Sequence, residues 1–209
     1  MQGRWLALAG LVLTLLGSAA IWQGIHKTPA PAGAPIGAIQ SATEIRDGHA
    51  LPAFRLTGAQ GEITNATLQG HWSFVFFGYT QCPDICPTAL GLMKALKSNL
   101  NAVSPASTFQ VLFVSVDPAR DSPDLLRHYL AAFDPAFIGA SADDAALKPL
   151  TQALGVYFKR HDATDKKHYT VDHTASIYLI DPQTRLAAVF TPPQDVAQMG
   201  ADFQRLRTK

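Results

Sequence analysis

An apolar run that leads directly into two cysteines and then into an amphipathic segment constrains the fold more than any other feature. Residues 72–77 are apolar apart from Ser73 and are followed by Gly78, which is typical of a buried central strand. Apolar residues then recur on one face of residues 87–103, which predicts a helix. Cys82 and Cys86 therefore lie at a strand-to-helix junction. Functional residues are usually found at this position in open α/β sheets.

Further patterns extend this unit into a mixed sheet. Residues 54–63 surround a glycine turn and predict a hairpin, and residues 109–116 predict a second central strand. The later predictions are a helix at 122–133, a short strand at 137–138, a helix at 143–154, strands at 175–180 and 186–191, and a helix at 193–206. This order predicts an α/β fold with helices on both faces of a mixed sheet. The closing ββα unit after a βαβ unit is the thioredoxin arrangement.

The N-terminal segment has a different character from the rest of the chain. Residues 5–25 contain no ionisable side chain, and a helix of that length reaches about 30 Å, the thickness of a bilayer core. Arg4 precedes this segment, so the positive-inside rule places the following chain outside the cytoplasm. A cleaved signal peptide ending near residues 18–20 and a buried core helix are the alternatives.

These features predict three regions. Residues 1–27 form a membrane anchor or signal peptide, residues 28–41 a linker rich in Pro, Ala and Gly, and residues 42–209 the folded domain. The whole chain carries 17 basic and 16 acidic residues and a net charge of +1, which argues against nucleic-acid binding. Two cysteines are too few for a disulfide scaffold.

The Cys-x3-Cys pair carries the chemistry. Pro87 suits a first helical turn, which makes Cys86 the expected cap residue and favours its thiolate at the positive helix end. A tight turn over residues 83–85 allows Cys82 and Cys86 to close a disulfide or to bind a metal. They cannot complete a structural zinc site by themselves, because such a site takes four ligands.

A third ligand has to come from elsewhere in the chain, and the histidines are the candidates. The seven are His26, His49, His71, His128, His161, His168 and His173. The last three precede the strand predicted at 175–180, in the loop that faces the cysteine motif in a thioredoxin-like fold. Any of them can join the two thiolates in a Cys2His set suited to copper, and Asp172 is placed to orient a ring or to tune the charge at the site.

Three motifs together resemble the SCO/SenC family of copper-binding, thioredoxin-like proteins for cytochrome c oxidase assembly. They are Gly78-Tyr-Thr-Gln-Cys-Pro-Asp-Ile-Cys-Pro87, Ser115-Val-Asp-Pro-Ala-Arg-Asp121 and Val171-Asp-His-Thr174. The resemblance implies that Cys82, Cys86 and His173 bind one copper ion. It matches Asp172, Asp117 and Asp121 to family acids that support the site or face a partner, although the last two also suit a plain turn and helix start.

The resemblance implies a copper chaperone for the binuclear copper centre of oxidase subunit II. A second periplasmic copper chaperone or a thiol reductant is a further expected partner, and the expected location is a bacterial inner membrane with the domain in the periplasm. A thiol–disulfide reductase that keeps the subunit II cysteines reduced, and a redox or copper sensor, are the alternatives. A peroxidase is a weaker option, because no residue set that would polarise a peroxide is evident.

Overall fold

The computed structural model describes residues 39–103, 109–161 and 169–208. In chain order its elements are β1 (Ala42–Glu44), β2 (Arg55–Gly58), β3 (Gly61–Thr64), α1 (Asn65–Leu68), β4 (Ser73–Gly78), α2 (Ile85–Val103), β5 (Gln110–Ser115), α3 (Pro123–Ala131), β6 (Ile138–Ser141), α4 (Asp144–Leu154), β7 (Phe158–Arg160), β8 (Val171–His173), β9 (Ile177–Ile180), β10 (Leu186–Phe190) and α5 (Val196–Leu206).

Eight of the described strands form one mixed sheet in the order β1-β10-β9-β4-β5-β6-β2-β3. The three strands β4, β5 and β6 are parallel, and the flanking pairs are antiparallel. β7 and β8 form a separate antiparallel hairpin. The central strand β4 is buried along its whole length, as its continuous apolar run predicts.

Side chains of β4 alternate between two hydrophobic layers. Phe74 and Phe76 face the layer that contains α2, α3 and α5, whereas Val75 and Phe77 face the layer that contains α1 and α4. Helices therefore cover both faces of the sheet, as the order of elements predicts. Because α2 follows β4 directly, the cysteine motif lies at the end of the most buried strand.

Most predicted elements are confirmed, and their ends differ by a few residues. Side-chain caps begin both α3 and α4: the Ser122 hydroxyl accepts a hydrogen bond from the amide of Leu125, and the Asp143 carboxylate accepts one from the amide of Ala146. The strand predicted at 137–138 is instead Ile138–Ser141. The sequence analysis did not predict β1 or the β7–β8 hairpin, because strands of three residues are too short to show a clear alternation of apolar and polar side chains.

The predicted anchor and most of the predicted linker lie in residues 1–38, outside the described residues. Among the described segments, no helix combines the length and apolar character that a membrane crossing needs.

The first described residues are hydrogen-bonded to a buried carboxylate in the last helix. The buried Asp202 accepts hydrogen bonds from the amides of Gln40, Ser41 and Ala42, which joins the start of the domain to α5.

Candidate metal centre

Residues 79–84 join β4 to α2 and contain Cys82, and this cysteine loop depends on a glycine at the end of β4. A Cβ atom built on Gly78 would lie 2.6 Å from the Sγ of Cys86 and 3.0 Å from the Phe113 ring. Only a residue without a side chain leaves room for the sulfur at this point. The loop then returns through Cys82, whose amide donates to the Tyr79 carbonyl at 3.2 Å.

The start of α2 differs from the prediction. The helix begins at Ile85, and the Asp84 carbonyl accepts the hydrogen bond from the Thr88 amide, so Cys86 is a helical residue and not the cap. Pro87 is still tolerated, because amides in the first turn have no partner within the helix. The Cys86 amide is directed at the Sγ of Cys82, 3.4 Å away.

Burial also changes the expected electrostatics of Cys86. Its thiol is fully buried, and this desolvation raises its pKa far above the ordinary value of a cysteine. The expectation that the helix start favours its thiolate is therefore wrong for the metal-free protein. A metal that binds this sulfur has to displace its proton.

His173 reaches the cysteines from the β7–β8 hairpin. Its Nε2 atom lies 3.4 Å from the Sγ of Cys86 and 4.0 Å from the Sγ of Cys82. Its Nδ1 atom lies 3.2 Å from the Thr174 carbonyl. A proton on Nδ1 donates to that carbonyl and leaves the Nε2 lone pair directed at the sulfurs. Burial lowers the pKa of His173, which keeps the ring neutral and able to act as a ligand.

The structure places His161 and Asp172 away from the centre. His161 contacts Asp172 at 2.6 Å, and both side chains are substantially exposed. Asp172 therefore pairs with His161 and does not orient the ring of His173, because neighbouring residues on a strand point to opposite faces. Its charge still acts on that ring, because it raises the pKa of His173 against the larger lowering effect of burial. His168 lies outside the described residues.

Asp121 is buried beside the cysteine loop. Its carboxylate accepts hydrogen bonds from the Thr80 amide at 3.0 Å, from the Thr80 hydroxyl, and from the Ser115 hydroxyl at 2.6 Å. Burial raises the pKa of Asp121, although these hydrogen bonds oppose the shift. The contacts hold the loop two residues before Cys82, so Asp121 supports the loop and does not face a partner.

Asp117 is buried at the base of the hairpin. It accepts hydrogen bonds from the guanidinium of Arg120 and from the hydroxyl of Tyr169, and Arg160 approaches it at 4.0 Å. It too is inaccessible to a partner. The sequence analysis predicted no role for Arg120 or Tyr169. Arg120 lies in the second of the three family motifs, whereas no pattern in the sequence marks Tyr169.

Cys82, Cys86 and His173 form one compact set of potential metal ligands. The ligand atoms of Cys82, Cys86 and His173 all lie within 4.8 Å of one another. Two sulfurs and one imidazole nitrogen suit a soft or borderline metal ion. Cys82 and His173 are half-buried and Cys86 is buried, so the set is open on one side. Fold and site together define a thioredoxin-like protein with a candidate metal centre of two cysteines and one histidine.

Comparison with known proteins gives the family. Residues 42–208 match the family model SCO1/SenC, so the chain belongs to that family. An SCO2-like protein of Rickettsia prowazekii is 36% identical over 138 residues, which cover 63% of this chain and 64% of the relative. The chain thus spans less than two thirds of this curated relative.

Solved structures share the fold. The apo Sco1 protein of Thermus thermophilus has a TM-score of 0.73 and 32% identity, covering 83% of this chain and 99% of that one. ScoI of Bradyrhizobium japonicum, solved with copper bound, has a TM-score of 0.66 and 35% identity, covering 76% of this chain and 99% of the other.

Proposed function

We propose that the chain is a copper chaperone that binds one copper ion through Cys82, Cys86 and His173. The observation that carries the proposal is the approach of three ligand atoms to within 4.8 Å of one another. Two thiolates provide the soft ligands that Cu(I) prefers, and a neutral imidazole is a ligand that also suits Cu(II). The copper bound to the Bradyrhizobium japonicum relative supports the same metal here.

The chain's own groups determine how the ion enters and leaves. Cys86 gives up its proton on binding, so copper uptake releases acid. His173 is already neutral because burial lowers its pKa, and it needs no deprotonation. The half-buried Cys82 and His173 leave one side of the centre accessible, which a recipient's ligands need if they are to take over the ion.

The proposed recipient is the binuclear copper centre of cytochrome c oxidase subunit II. The family resemblance supports this partner. We further propose that residues 1–27 anchor the protein in a bacterial inner membrane, with residues 42–209 in the periplasm as the copper-binding domain. A periplasmic copper chaperone or thiol reductant would then supply copper or electrons.

A thiol–disulfide reductase is the second candidate. Both cysteines are free thiols, Cys82 is half-buried and Cys86 is buried. This arrangement suits an attacking thiol and a resolving thiol. In that reaction a partner disulfide is reduced to two thiols, while Cys82 and Cys86 are oxidised to a disulfide. His173 is not needed for the exchange, and this separates the two candidates.

Complementation of a deletion strain tests the choice. We expect His173→Ala to lower oxidase activity under low copper, with partial rescue by added copper, and Cys82→Ser to abolish it. His161→Ala is the matched control, because that ring contacts Asp172 and lies away from the sulfurs. Full oxidase activity of His173→Ala under low copper, together with loss in Cys82→Ser, would favour the reductase.

A further inference from the structure

Arg120 joins three separate segments around the candidate centre. Its Nη1 atom donates to the Gln81 side-chain oxygen at 3.0 Å and to the Tyr169 carbonyl at 2.9 Å. Its Nε atom donates to Asp117 in the loop after β5. The guanidinium also stacks 3.5 Å from the centre of the Tyr169 ring. One side chain therefore contacts the cysteine loop, the β5–α3 loop and the segment just before β8 in the β7–β8 hairpin, which carries His173 and is called the histidine hairpin below.

The contacts of Arg120 lie between the segment that carries the cysteines and the segment that carries His173. Gln81 directly precedes Cys82, and Tyr169 lies two residues before β8, which ends at His173. Cys86 and His173 are 87 residues apart in the chain, so contacts between these segments set the distance from sulfur to imidazole. A second link is a longer hydrogen bond, 3.4 Å, from the Val171 amide to the Tyr79 hydroxyl.

Stability alone is a poor explanation for this arginine. Its side chain is only 7% exposed, and among the described residues its Nη2 atom is buried without a hydrogen-bond partner. Burying a guanidinium carries a large desolvation penalty, and an unpaired donor adds to it. Well-packed apolar side chains in place of both Arg120 and its buried partner Asp117 would avoid both costs. The useful property of arginine here is its planar guanidinium group, whose N–H groups donate hydrogen bonds in several directions at once.

We propose that Arg120 is a positioning residue that holds the cysteine loop and the histidine hairpin at the separation a copper ion requires. This inference rests on the proposed copper function. Arg120 does not touch the ion. It presets Cys82 and His173 before binding, so that little rearrangement is needed when copper enters.

The test measures copper binding and thiol chemistry in parallel on the full chain. For Arg120→Met we expect the Cu(II) dissociation constant, measured by chelator competition, to rise about 10–100-fold, the range typical for residues that orient metal ligands. The thiolate-to-Cu(II) absorption band should weaken or shift. The equilibrium constant for Cys82–Cys86 disulfide formation should change much less, because the two cysteines lie only four residues apart in a loop that the Thr80–Asp121 hydrogen bond still holds.

Three further variants keep the outcome interpretable. Arg120→Lys retains the charge but loses the planar guanidinium group, so we expect weakened Cu(II) binding. Full Cu(II) affinity in this variant would mean that the charge and not the positioning matters, which would overturn the proposal. Gln81→Ala removes one exposed contact, and we expect a smaller loss in the same direction even if Arg120→Met fails to fold. Arg185→Met removes an ion pair with Asp181, in the turn between β9 and β10, and should bind like wild type.

The results separate this inference from the proposed function. If the wild-type chain binds no copper, the proposed function fails. If wild type binds copper and both Arg120→Met and Gln81→Ala retain its affinity and absorption band, the role of Arg120 is overturned while the copper function stands. An equal loss of copper affinity and of disulfide stability in Arg120→Met would also overturn it, by showing a general structural role.

Discussion

Replacing Gly78 with alanine should damage both the fold and the copper centre. The added Cβ would lie 2.6 Å from the Cys86 sulfur and 3.0–3.1 Å from two atoms of the Phe113 ring. Carbon and sulfur do not approach so closely without repulsion, and all three residues lie in a fully buried region. The sulfur, the ring or the end of β4 must move to make room.

The structure sets the size of the effect. Overpacking a well-packed core by one methyl group typically lowers the free energy of unfolding by about 1–3 kcal/mol. We expect Gly78→Ala to fall in the upper half of that range, because its neighbours include a rigid aromatic ring and a helical residue. Displacement of Cys86 should also weaken copper binding by about tenfold, in line with the effect of misplaced ligand supports.

Urea unfolding followed by circular dichroism provides the assay, and Gly91 provides a matched control. A Cβ on Gly91 meets no atom within 4 Å, and this residue lies inside α2. Gly91→Ala should therefore raise the free energy of unfolding by about 0.5–1 kcal/mol through higher helix propensity. Equal stability of Gly78→Ala and wild type, or a loss of the same size in both variants, would refute the reasoning.

Three other variants test separate parts of the structure. Asp202→Ala removes the acceptor for the amides of residues 40–42 and should lower the free energy of unfolding by about 3 kcal/mol at pH 7. Although burial alone would raise the pKa of Asp202, those amides hold it below its usual range, so the difference from wild type should begin to shrink below about pH 4 and fall further as pH drops through the lowered pKa; a constant difference would contradict this. Asp121→Ala leaves the Thr80 amide and the Ser115 hydroxyl without their acceptor, and we expect a loss of about 2 kcal/mol with weaker copper binding. His161→Ala breaks an exposed contact and should change the stability by under about 1 kcal/mol and leave copper affinity unchanged, as titration would show.

Local sequence patterns predicted the elements that carry strong local signals. The strand predicted at β4 and the helix predicted at α2 are both confirmed, because an apolar run and a helical periodicity depend only on neighbouring residues. The β7–β8 hairpin escaped prediction. Its strands have only three residues each, which is too short for an alternation of apolar and polar residues to be recognised.

The environment of the site could not be predicted in the same way. Helix position alone suggested a thiolate for Cys86, but tertiary packing removes water from this sulfur and raises its pKa. Likewise, the sequence left open whether Asp117 and Asp121 support the site or face a partner. Their burial depends on the tertiary fold, which no local pattern reveals. Arg120 contacts residues 39 positions earlier and 49 positions later in the chain, and no local pattern encodes such contacts.

X-ray absorption at the copper edge of the loaded protein tests the proposed centre most directly. Two sulfur scatterers and one imidazole nitrogen around a single copper per chain are predicted, from Cys82, Cys86 and His173. In His173→Ala the imidazole signal should vanish while both sulfurs remain around Cu(I). A wild-type spectrum with fewer than two sulfurs, or one in which His173→Ala leaves the imidazole signal intact, would contradict the proposed copper centre.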